Sequence, residues 1–139
     1  MDAPISRNLR TLFLAHAIVS LVPGVLCFFI PGRFLTAMGW IRADPMVTRI
    51  VGALLVGLGW GSWLGYRARR WEEVRVLVLT EIGVTIAGSI AMFRDLLMPH
   101  PFRLSLTIRM TLIFPWVVFL LFILFAVAWI VVYVRAPRA

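Results

Sequence analysis

The chain has 139 residues, 62% of them hydrophobic, and a mean hydropathy of +0.97. Small soluble domains bury only about 60–70% of the surface their unfolded chain exposes, so this composition excludes an ordinary water-soluble fold and makes the lipid bilayer the first partner. The fourteen basic residues are all arginine and give a formal charge of +8, but they fall in short segments between apolar runs, where they meet lipid headgroups rather than nucleic acid.

The N-terminal Arg7 and Arg10 precede an apolar run from Thr11 to Gly32, twenty-two residues without a charge. A helix needs about twenty to cross a ~30 Å hydrocarbon core, so the run reads as a retained first span rather than a cleaved signal. Pro23-Gly24 inside it predicts a kink, and Pro31-Gly32 ends it. The link 32–44 mixes Phe34, Leu35, Trp40 and Ile41 with Arg33 and Arg42, as a segment lying in the headgroups does. Asp44 as N-cap and Pro45 as first helical residue open the second span, which the Arg67-Ala68-Arg69-Arg70 turn stops. The third span starts at Trp71, with Glu72 and Glu73 suited to the positive end of its helix dipole. A second interfacial link, 94–109, contains Pro99, His100 and Pro101. The fourth span is apolar on every side, as lipid-facing helices are. The expectation is an all-α integral membrane four-helix bundle forming a single domain, with spans of about 9–31, 45–66, 71–93 and 110–134. With an even number of spans, eight arginines fall on the side of both termini and six opposite, which predicts cytoplasmic termini in a bacterial inner membrane.

Small residues at four-residue spacing, Ala53, Gly57, Gly61 and Gly65, let two helix backbones approach closely, inside the bundle or against a second copy. Gly83, Ala87 and Ala91 form the matching ridge on the third span. Beside that ridge lies a polar one, Glu81, Thr85, Gly88 and Ser89. Glu81 sits about ten residues inside its span, where a charge costs at least ~2.5 kcal/mol, so it is neutral or paired. Its candidate partners are Arg49, about 10 Å away along the bundle axis, and His16, which is closer in depth and starts a polar line with Ser20, Pro23 and Cys27. The first three helices are thus expected to turn polar faces to one core. The functional reading of Glu81 is a proton-titrating or substrate-binding carboxylate; the structural reading is a polar lock.

For His16 the bland reading is a hydrogen-bonded core residue and the sharp one is pigment or haem ligation; no cofactor is otherwise expected. Trp40, Trp71 and Trp116 fall near span ends, where aromatic belts sit, while Trp60 and Trp63 lie deeper and could line a cavity for a flat apolar ligand. The single cysteine, Cys27, leaves no disulfide, dithiol or Cys-pair metal motif, and no metal-ligand cluster, nucleotide loop or catalytic triad order is present in the sequence.

The stretch Pro31-Gly32-Arg33-Phe34, Met38-Gly39, Ala43-Asp44-Pro45 and Arg49 to Gly59 resembles small bacterial four-helix membrane proteins of the DoxX-like kind, over about the first two spans. That resemblance implies the fold more than a role. The small multidrug exporters are similar in size, but their essential glutamate lies in the first helix, where this chain has His16. Two functions are expected from these observations. One is a non-enzymatic scaffold or accessory subunit that packs within a larger membrane complex or against another copy. The other is a small proton-linked transporter, or a binder of apolar ligand or lipid, that uses Glu81.

Overall fold

The computed structural model describes residues 4–38, 44–97 and 108–136, without the side chains of 108–112. Among them are five helices: α1 (Arg7–Phe29), α2 (Pro31–Ala37), α3 (Pro45–Arg67), α4 (Trp71–Leu97) and α5 (Ile108–Arg135). Four of these are long and apolar enough to cross a membrane. The chain is an all-α bundle of a multi-pass membrane protein. Trp40, Ile41 and Arg42 of the first link, and Pro99, His100 and Pro101 of the second, lie outside the described residues.

Local chemistry sets the helix ends. Ser6 accepts the Leu9 N–H at 3.2 Å and caps α1, and Asp44 Oδ1 accepts from Met46 and Val47 at 2.7 and 3.0 Å ahead of Pro45. α1 continues through Pro23 to Phe29, and Pro31 begins the short helix α2 in the first link. The Glu73 carboxylate, in the first turn of α4, accepts the Arg69 N–H at 3.1 Å and fixes the turn between α3 and α4. The N-terminal segment clasps the same turn, through Ile5 N–H to Arg69 O at 3.2 Å and the Arg10 guanidinium to Ala68 O at 3.3 Å.

The helices form two antiparallel hairpins. α1 lies along α3 and α4 along α5, with far less backbone contact between the pairs. In the first hairpin the backbones nearly touch: a Cβ added at Gly52 would fall 2.7 Å from Phe28 N and 2.8 Å from Gly24 O, and one at Gly59 would fall 2.6 Å from Leu21 Cγ. In the second, the ring of Phe122 fills the space that Gly88 leaves, 2.4 Å from an added Cβ.

This corrects the expected packing ridge. Ala53 and Gly57 are exposed, and a Cβ at Gly57 meets nothing within 4 Å; Gly61 is half-buried and only Gly65, under Phe13, is buried. The reason is geometric. Steps of four residues advance about 40° each on a 3.6-residue helix, so Ala53 to Gly65 walks about 120° round α3 and cannot face one neighbour. Gly52 and Gly59, seven apart, drift only about 20° and stay on the α1 face. Gly83, Ala87 and Ala91 likewise point away from the bundle.

The hairpins meet through Leu9 and Phe13 of α1, Trp71, Val74 and Val78 of α4, and Phe125 and Trp129 of α5. Phe13 packs on Trp129 at 4.9 Å between ring centroids. Trp71 is therefore core, beside Tyr133, and not part of an aromatic belt, whereas Trp116 is half exposed. α5 is not uniformly lipid-facing either: Trp129 is fully buried and Phe125 and Ala126 nearly so.

Candidate functional site

Four side chains from three helices converge where the hairpins face each other. Glu81 of α4 and Ser62 of α3 are fully buried; His16 and Ser20 of α1 are nearly so. The Ser62 hydroxyl donates to Glu81 Oε1 at 3.0 Å. His16 Nδ1 lies 2.8 Å from Ser62 Oγ and 3.5 Å from Glu81 Oε1, and His16 Nε2 lies 3.4 Å from Ser20 Oγ.

The donor directions follow by elimination. With Glu81 ionised, Ser62 spends its one proton on Glu81, so its oxygen accepts from His16, which places the imidazole proton on Nδ1 and leaves Nε2 to accept from Ser20. The result is a directed chain, Ser20 to His16 to Ser62 to Glu81, with each donor pointing at the next acceptor toward the carboxyl group. A proton accepted at Nε2, release of the Nδ1 proton to Ser62 and transfer of the Ser62 proton to Oε1 would move one net proton along it and reverse its polarity.

α5 closes the site. The Phe125 and Trp129 rings meet the imidazole edge-on at 4.8 and 5.8 Å, covering it with apolar surface. Two polar atoms in this enclosure, Glu81 Oε2 and Trp129 Nε1, have no hydrogen-bond partner among the described residues.

His16 and Ser20 thus join Glu81 as the sequence suggests. Thr85 and Ser89 are buried on the same face of α4 but turn their hydroxyls to its backbone, donating to Glu81 O at 2.6 Å and Thr85 O at 2.7 Å. Of the two candidate partners of Glu81, His16 is the one beside it, while Arg49 is exposed on α3 and makes no ion pair with Glu81. Trp60 is 59% exposed, and Trp63 tilts against Tyr66 at 5.6 Å. Both nitrogens of His16 face hydroxyls, and among the described residues no three His, Cys, Asp or Glu side chains gather as metal ligands.

Sequence reasoning missed Ser62 and Trp129. The signal for Ser62 was the buried series Thr48, Gly52, Gly59 and Ser62, which keeps to one side of α3 while the more conspicuous glycine run winds away. Comparison of the chain with protein families, with curated proteins and with solved structures gives no match.

Proposed function

We propose that this chain is a non-enzymatic, proton-linked membrane protein in which Glu81 loads and releases a proton through Ser62 and His16 as the two hairpins shift against each other. The observation that carries the reading is a fully buried carboxyl group at the junction of the hairpins, fed by an aligned chain of hydroxyl and imidazole groups. The hairpins meet through side chains rather than close backbone contact, so a shift of one against the other would proceed by repacking of Phe13, Val78, Phe125 and Trp129. The eight-to-six arginine split favours a bacterial inner membrane with both termini cytoplasmic, in keeping with the resemblance to DoxX-like proteins.

The test is proton flux into liposomes loaded with a pH-sensitive dye after an imposed pH gradient. Flux that depends on the protein and disappears in Glu81→Gln supports the reading. Equal flux from both proteins, or none from either, defeats it.

A second reading, a scaffold or accessory subunit, is favoured by the outward small-residue faces, Ala53 and Gly57 on α3 and Gly83, Ala87 and Ala91 on α4, which a second copy or another membrane protein would cover. On that reading Gly57→Ile and Gly83→Ile break an oligomer or a co-purifying complex in mild detergent and leave the monomer folded. An unchanged elution profile removes it.

A further inference from the structure

Away from the Glu81 cluster, a groove of about 490 Å³ opens between the end of α3 and the start of α4, lined by Gly61, Leu64, Gly65, Val74 and Leu77 below and by Arg67, Ala68 and Glu73 at its mouth. Its volume is in the range of small-molecule sites. Gly61, which carries no side chain toward α4, leaves part of the space: an added Cβ there would reach Leu77 Cδ1 at 3.3 Å.

The groove is polarised along the membrane normal. Arg67 is the last residue of α3, and Gly61 lies six residues deeper, about 9 Å down the helix. The apolar part therefore enters the hydrocarbon zone while the charged mouth stays among headgroups. The mouth holds both signs. Arg67 makes no hydrogen bond or ion pair among the described residues, and Glu73 is held in place by the Arg69 N–H on one oxygen, leaving the other oxygen to accept.

We propose that this groove binds a phospholipid with a primary-amine headgroup, a phosphatidylethanolamine, with acyl chain along Gly61, Leu64 and Leu77, phosphate on Arg67 and ammonium on Glu73. Charge complementarity selects the occupant. A cation alone at the mouth would favour anionic lipid, to which the neighbouring Arg69, Arg70 and Arg75 already draw the surface, whereas Glu73 repels a net negative headgroup and accepts hydrogen bonds from an ammonium. A quaternary choline offers no N–H for that bond, so phosphatidylcholine is the weaker ligand.

The proposal is independent of proton coupling at Glu81, and its test is separate. The purified full chain in mild detergent is titrated with dioleoyl phosphatidylethanolamine, phosphatidylglycerol and phosphatidylcholine, and the bound fraction of each is read by native mass spectrometry. The expected result is about fivefold tighter binding of phosphatidylethanolamine than of either other lipid. Glu73→Gln, which keeps an acceptor for the Arg69 N–H, brings phosphatidylglycerol level with or above phosphatidylethanolamine. Arg67→Gln weakens all three, and Gly61→Leu fills the groove and abolishes the preference. The proposal is overturned if phosphatidylglycerol binds wild type as well as or better than phosphatidylethanolamine, if Glu73→Gln keeps the wild-type preference, or if no phospholipid is retained above detergent. Because Glu73 is exposed and its replacement isosteric, that variant decides the matter even where Gly61→Leu fails to fold.

Discussion

At the scale of single residues, Ser62 connects the two chemistries of the site. Its oxygen accepts from His16 while its proton goes to Glu81, so Ser62→Ala leaves a buried imidazole N–H and a buried carboxyl oxygen to face each other at 3.5 Å without a bridge. The expected cost is about 1–3 kcal/mol in equilibrium unfolding in detergent, together with loss of proton flux. Ser62→Thr, which retains the hydroxyl, should recover part of both; full activity in Ser62→Ala would remove the hydroxyl from the relay. Glu81 and His16 were legible in the sequence because a carboxylate and an imidazole deep in apolar runs stand out on cost alone. Ser62 was not, since a serine flanked by glycine and tryptophan carries no such penalty. Trp129 was hidden for a related reason: in an all-apolar helix no hydropathy contrast marks the side turned inward.

At the scale of helices, the two kinds of glycine separate by what surrounds them. Gly52→Ala would put a methyl group within 2.8 Å of two backbone atoms of α1, which cannot yield without moving the helix, so the hairpin must open. A loss of about 1–3 kcal/mol is expected, the usual range for overpacking. Gly57→Ala meets nothing within 4 Å and should leave stability unchanged or raise it by up to about 1 kcal/mol through helix propensity. Thermal unfolding of the two variants side by side checks the contrast, and equal effects would refute the assignment of the α1–α3 face. The number, order and approximate ends of the spans were readable because length, charge and proline punctuation act locally. Which glycines face a neighbour was not, because that depends on the angle accumulated over several turns, and a run chosen for its spacing of four drifts off the contact.

At the scale of the whole molecule, two antiparallel hairpins each close tightly on themselves and meet across a junction of Phe13, Val78, Phe125 and Trp129 with the Glu81 chain set into it. The three helices expected to be polar do turn side chains to one site, but the fourth is not lipid-facing throughout: the helices divide into pairs, and α5 supplies the cover of the site. The pairing of α1 with α3 and α4 with α5 does not follow connection length, since the three-residue turn joins α3 to α4; it follows which faces admit close approach, and the closure of the site by α5 comes from large side chains whose direction composition alone does not reveal. The central claim is that the junction holds a carboxyl group that exchanges its proton by way of Ser62. Infrared difference spectroscopy between acid and alkaline buffer, on the reconstituted protein, tests it most directly. A protonated-carboxyl band is expected that changes with pH, is absent from Glu81→Gln and shifts in Ser62→Ala. A band that persists in Glu81→Gln, or one that belongs to Glu81 but does not respond to pH, would contradict it.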